Sequence, residues 1–103
     1  MEGRRLPINQ IGRESLSVTT SAAGFASKPA SARYAIIYVA TSPIRWRADG
    51  TAPTSTTGMF VDNNKYIEFM ELSEGYSGVL RRIQFIRDSS AGADATLEIA
   101  YFS

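Results

Sequence analysis

Residues 32–41 read Ala32-Arg33-Tyr34-Ala35-Ile36-Ile37-Tyr38-Val39-Ala40-Thr41, with apolar side chains at both odd and even positions. Successive side chains of a strand point to opposite faces, so this run is expected to be apolar on both. That is the pattern of a central strand covered on two sides. Ile36, Ile37 and Val39 are β-branched and Tyr34 and Tyr38 aromatic, which favours an extended chain over a helix. Pro43 stops the run, since proline cannot donate to a sheet ladder.

Outward from this run, short β-like segments alternate with turn-rich connections. Ser15 to Thr20 places Leu16 and Val18 on one face against Ser15, Ser17 and Thr19, the period of a half-buried strand. Ser21 to Ser31, with Gly24 and Pro29, reads as a loop, and Phe25 within it as a plug into the core. Beyond Pro43, Ile44 and Trp46 alternate with Arg45 and Arg47, so Trp46 is expected inward and both arginines outward. Asp49-Gly50 marks a tight turn, and Thr51 to Gly58 a polar, proline-interrupted loop. Met59 to Val61 and Lys65 to Leu72 flank Asp62-Asn63-Asn64, which reads as a hairpin connection. Ser73 to Gly78 carries two glycines, which disfavour a helix there. Leu80 to Arg87 is expected as a strand with Ile83 and Phe85 on one face, and Ser89 to Asp94 as a small-residue turn. Thr96 to Phe102 alternates again, with Leu97, Ile99 and Tyr101 opposite Thr96, Glu98 and Ala100.

Seven to eight short strands with turns at this spacing predict an all-β, two-sheet β-sandwich spanning residues 14–103 as one domain. A jelly-roll-like sandwich is the expectation, although spacing alone does not separate jelly-roll, Greek-key and meander connections. Residues 1–13 are expected to form an N-terminal arm, either a frayed terminus or a contact element. Its scattered apolar side chains Leu6, Ile8 and Ile11 would anchor it on a neighbouring subunit. Tyr76, in a glycine-flanked turn, is expected to be exposed and to join the same protein interface.

Composition narrows the chemistry. The chain has 103 residues, 44% hydrophobic and 20% charged, with a net charge of +1, an ordinary globular balance that argues against disorder. Its charges are mixed in sign along the chain, unlike the clustered basic excess of nucleic-acid binders, so no nucleic acid is expected as partner. No run approaches the length of a membrane helix, and the start lacks a signal-peptide core, so no membrane partner and cytoplasmic synthesis are expected. Histidine and cysteine are both absent. That removes the usual neutral-pH base, the Ser-His and Cys-His pairs and the commonest metal ligands, so no catalytic residue, metal or cofactor is expected. Glu68, Glu71 and Glu74, and Asp49 with Asp62, could pair as carboxylates; solvated surface charge explains them better. Asp62-Asn63-Asn64 lacks the glycine and glutamate of a calcium loop. Arg81 and Arg82, adjacent on an expected strand, would point to opposite faces and make no shared basic patch.

One resemblance adds to this reading. The stretch from Ala32 through Gly58, followed by Ile83 to Phe102, resembles a family of small phage virion structural proteins. The positions carrying it are Arg45, Trp46, Arg47, Asp49, Gly50, Thr51, Pro53, Thr54, Gly58, Phe85, Ile86, Arg87 and Tyr101. They form an Arg-aromatic-Arg strand, an Asp-Gly-Thr-x-Pro-Thr loop with a closing glycine, an Ile-x-Phe-Ile-Arg strand and a last strand ending in tyrosine. The segment from Met70 to Val79 is longer than the connection typical of that family, and the arm lies outside the resemblance. The resemblance implies a non-enzymatic particle component. The expected role is a head decoration or cement protein in the virion, acting as a homo-oligomer, with a trimer favoured, on the major capsid protein or other virion subunits. A tail, collar or head–tail joining protein is the alternative in that class, and a carbohydrate-binding module the alternative outside it.

Overall fold

Alternation along each strand decides which side chains enter the interior, and in this computed structural model it does so over residues 9–71 and 78–103, the residues described. The strands are β1 (Gln10–Val18), β2 (Tyr34–Ala40), β3 (Ile44–Arg47), β4 (Met59–Val61), β5 (Lys65–Met70), β6 (Gln84–Arg87) and β7 (Ala95–Phe102), with one helical turn, α1 (Val79–Arg82), ahead of β6. They form a four-stranded sheet ordered β1-β7-β2-β5 and a three-stranded sheet ordered β4-β3-β6. Every pairing is antiparallel. The chain is an all-β, two-sheet sandwich.

The jelly-roll character lies in one short contact. Ala23 and Phe85 exchange both backbone hydrogen bonds, at 3.1 and 2.9 Å, and Arg87 N–H donates to the Thr19 carbonyl at 3.0 Å. Residues 19–23 therefore run along the outer edge of β6 as a residual strand. Counting it second in chain order gives 1-8-3-6 in one sheet and 5-4-7-2 in the other, the two interlocked Greek keys of a jelly roll. Residues 19–23 also satisfy the β6 edge, which would otherwise stand open to pairing.

The inner rows of the large sheet follow from its register. Tyr101, Ala35 and Phe69 lie side by side, then Glu14, Ile99, Ile37 and Ile67, then Leu16, Leu97 and Val39. From the small sheet Ile44, Trp46 and Phe85 face them, and Ile37, Val39, Ile44, Leu97 and Tyr101 are wholly buried. Phe25 plugs this core as expected, its ring 5.5 Å from Phe85 and 5.4 Å from Tyr101.

Four expectations need correction. β1 starts at Gln10, so residues 10–13, assigned to the arm, belong to the sheet; Ile11 is the extra residue of a bulge between Gln10 and Gly12. Asp62-Asn63-Asn64 does not close a hairpin. β4 pairs β3 and β5 pairs β2, so the turn carries the chain from one sheet to the other, with Asn64 at φ 67. Val79–Arg82 is helical where a strand was expected, and Gly78 ahead of it sits where a Cβ would overlap the Glu71 carboxylate. That carboxylate accepts the Leu80 N–H at 3.0 Å and so caps the turn. Finally β2 is covered on one face only: Ala35, Ile37 and Val39 are buried, whereas Tyr34, Ile36 and Tyr38 are half-buried on the outside.

Candidate protein-interaction surface

The two sheets treat their outer faces differently. On the small sheet the row Phe60, Arg45, Ile86 points away from the core, yet Ile86 is only 7% exposed. The loop between β3 and β4 folds back over it. Pro53 is buried, Ser89 N–H donates to the Ser55 carbonyl at 2.9 Å, and Arg45 donates to the Gly58 carbonyl at 2.9 Å and to Asp88 at 2.6 Å. Gly58, at φ 132, is packed so closely that a Cβ would stand 3.0 Å from the Trp46 carbonyl. The Asp-Gly-Thr-x-Pro-Thr loop is thus a lid that seals this face. Asp88 is held below the usual carboxylate value by hydrogen bonds from the Ser90 side chain and backbone, and further by Arg45.

The large sheet has no such lid among the described residues. Its outer face carries Tyr34 against Phe102, with ring centroids 5.6 Å apart, and Tyr38 against Tyr66 at 4.9 Å, flanking Ile36 and Ala100. Tyr66 is 69% exposed and Met70 39%. The polar ends of this surface are tied down. Tyr34 donates to Glu68, which pushes its phenol upward, and Tyr38 donates to Asn64 at 2.8 Å. Arg13 and Ser15 both reach Glu98 at 2.7 Å. A shallow depression of about 280 Å³ lies between Arg13, Glu98, Ile36, Tyr38 and Tyr66. With the Tyr34 and Tyr38 hydroxyls satisfied within the chain, this aromatic surface is of the kind enriched at the centre of protein interfaces.

A second exposed region adjoins it at the edge formed by β4 and β5. Met59 and Phe60, on edge strand β4, are 60% and 48% exposed, so four of the five exposed large hydrophobics among the described residues fall between residues 59 and 70. The fifth is Ile11, 37% exposed on β1, the opposite edge of the large sheet. Trp46 faces inward as expected, edge-on to Phe69 at 4.8 Å, but sits half-buried at the mouth of the sandwich. With Ala48, Met59 and Gly58 it lines an open cleft of about 380 Å³. Arg47 and Asp49 clasp each other at its rim through two hydrogen bonds, 3.1 and 2.5 Å, and that clasp holds the Asp49 carboxyl down at about 2.

Of the residues assigned to an interface, Ile11 is exposed on β1, while Leu6, Ile8 and Tyr76 lie outside the described residues. Met59 and Phe60 were not singled out from the sequence, although a signal was present. Met59 and Phe60 are adjacent apolar residues on one strand, so one had to face away from the core. Tyr66 alternates with Ile67, which fixes it outward. The carboxylates do not converge: Glu68 serves Tyr34, Glu71 caps α1, Asp49 pairs Arg47 and Asp62 receives the Asn63 N–H. Glu74 lies outside the described residues. Among those described, no three acidic, histidine or cysteine side chains gather as a metal site. Arg81 and Arg82 are both exposed on one helical turn, not on opposite faces of a strand. No helix among the described residues is long and apolar enough to cross a membrane.

No protein-family profile matches the chain, and neither a curated protein nor a solved structure matches it.

Proposed function

We propose that this chain is a structural subunit of a phage virion, a head decoration protein that binds the capsid through protein–protein contacts and works as a homo-oligomer, with a trimer favoured. The observation that carries this reading is the aromatic outer face of the large sheet. The chain lays its own loop over the equivalent face of the small sheet, whereas no described residue forms a lid over Tyr34, Tyr38, Tyr66 and Phe102. Such a face is a flat docking surface of low conformational entropy. The resemblance of the Arg45–Gly58 and Phe85–Tyr101 segments to small virion proteins supports the same role. Jelly rolls occur in capsid and lectin domains alike, so the fold alone does not choose between them. A particle lattice also suits a small subunit physically, since closed symmetry repeats a modest contact many times.

The test is binding to phage capsids that lack this subunit. Saturable, stoichiometric binding is expected, with Tyr66→Glu weakening it at least tenfold while the circular dichroism spectrum is kept. Failure to bind any particle component defeats the proposal. Copy number in the intact particle separates a head coat, in hundreds, from a tail, collar or joining position, in a dozen or fewer.

A further inference from the structure

We infer that the cleft at the β4 edge receives residues 6–8 of a neighbouring copy of this chain, so that subunits are linked head to tail by their N-terminal segments. The inference deepens the self-assembly part of the reading above and is independent of its virion part.

The edge itself is unusual. β4 is three residues long, pairs only β3 among the described residues, and exposes apolar side chains on both of its faces, Met59 beside Trp46 and Phe60 over Arg45. The Arg45 guanidinium lies 5.6 Å from the centre of the Phe60 ring. An extended segment laid along such an edge adds main-chain hydrogen bonds and presents every second side chain to one side. In Leu6-Pro7-Ile8 the two aliphatic residues are spaced by two, so an extended segment laid on this edge would turn both toward the cleft of Trp46, Ala48 and Met59. Pro7 between them has no N–H to donate and is compatible with an outermost strand.

Geometry requires that this segment come from another copy. Asn9 is bonded to Ser103 at the end of β1, in a row that continues through Arg33 to Glu71 at the end of β5. Three inter-strand spacings of about 4.8 Å put Asn9 about 14 Å from β5, and the cleft lies further on, at the edge of the second sheet about 10 Å away. Leu6 is three residues from Asn9, at most about 11 Å of fully extended chain, and Ile8 is adjacent to it. A chain therefore cannot place its own Leu6 and Ile8 in its own cleft. Asn9 stands at the opposite edge of the large sheet, so the segment ahead of it is within reach of a neighbouring copy. A contact between two unlike edges is heterologous, and it generates a ring where the rotation closes.

The absence of cysteine makes the test direct. Full-length Ile8→Cys chain is mixed with a mass-tagged full-length Met59→Cys chain and a short bis-maleimide. A cross-linked pair is expected at a yield at least tenfold above that of the control mixture of Ala93→Cys with Met59→Cys. Sedimentation of the full-length Leu6→Asp/Ile8→Asp chain should show self-association weakened at least tenfold with the far-ultraviolet spectrum unchanged. Cross-linking no greater than the control overturns the inference. So does self-association indifferent to Leu6→Asp/Ile8→Asp, or a doubly substituted Ile8→Cys/Met59→Cys chain that closes on itself at dilutions where the mixture does not react. No particle enters this experiment, so the link between copies and the docking to capsid fail or succeed separately.

Discussion

The Tyr101 hydroxyl donates a hydrogen bond to the Glu14 carboxylate inside the sandwich, joining residues 87 positions apart on neighbouring strands. Glu14 is 8% exposed and Tyr101 fully buried, and the same carboxylate oxygen receives the Ser27 N–H at 3.0 Å. This one group ties β1, β7 and the long connection that carries Phe25 into a unit.

Removing the donor should therefore be costly. Tyr101→Phe leaves a buried carboxylate short of a partner, and a loss of about 1–3 kcal/mol is expected from urea unfolding. In a Glu14→Leu background the same substitution should cost under about 1 kcal/mol; an equal cost in both backgrounds would show that the bond is not what Tyr101 supplies. Burial first and Glu14 second also push the Tyr101 phenol well above its ordinary value of 10.0. Because the folded value is raised, that contribution is whole below pH 10 and declines as pH rises past it, where the unfolded phenol ionises. Stability measured against pH should fall on the alkaline side, and Tyr101→Phe should flatten that limb.

At the acid end the sign reverses. Asp88 and Asp49 both lie below the ordinary carboxylate value of 3.8, Asp49 at about 2. Depressed folded values stabilise above the unfolded value and are lost as pH falls through the folded one, so unfolding midpoints should drop between about pH 4 and pH 2. At neutral pH Asp88→Asn should cost more stability than Asp49→Asn. Asp88 is buried and pins the lid to β3, whereas Asp49 is in a solvent-exposed pair, which is weak. The reverse ranking would mean that the lid does not depend on Asp88.

Thr41 holds the passage from β2 to β3 in a strained turn. Ser42 N–H donates to the Ala40 carbonyl at 2.9 Å with Thr41 at φ 76, the three-residue γ-turn, in a region disfavoured for a β-branched side chain. Thr41→Gly should relieve that strain and outweigh the added entropy of glycine, raising stability by about 1 kcal/mol and the thermal midpoint by about 5 °C. A lowered midpoint would place the strain elsewhere.

Gly78 and Glu71 should behave as a coupled pair. Gly78→Ala forces the Glu71 carboxylate away from the Leu80 N–H and should cost about 1–2 kcal/mol by chemical denaturation. In a Glu71→Ala background most of that cost should vanish, since the obstructing group is gone. Additive losses would refute the contact.

Much of the sandwich was legible from alternation. Leu16 and Val18, Ile83 and Phe85, and Leu97, Ile99 and Tyr101 face inward as the period of two requires, because a one-residue slip would turn each set out to water. The misreadings have a common origin in partners remote in sequence. Asp62-Asn63-Asn64 has the composition of a hairpin turn, yet the strands on either side pair with β3 and β2, and no local signal encodes that choice. Leu80, Arg81 and Arg82 are good helix formers, a preference masked by the alternation of Ile83 and Phe85 that follows, and the turn forms where Glu71 caps it. Of the exposed apolar residues, Ile11 was expected on an interface and Tyr66 follows from its alternation with Ile67, but the cleft beside Trp46 needed the spacing of the two sheets.

Local periodicity by itself determined that this is a β protein and which face of most strands is apolar, since side-chain direction along a strand depends only on position parity. Which face then stays open was decided by the tertiary fold. The same alternating pattern leaves Ile86 and Ile36 both pointing away from the core. Only the fold-back of Pro53 over one sheet, and the lack of an equivalent cover among the described residues of the other, makes the first buried and the second part of a surface available to a partner.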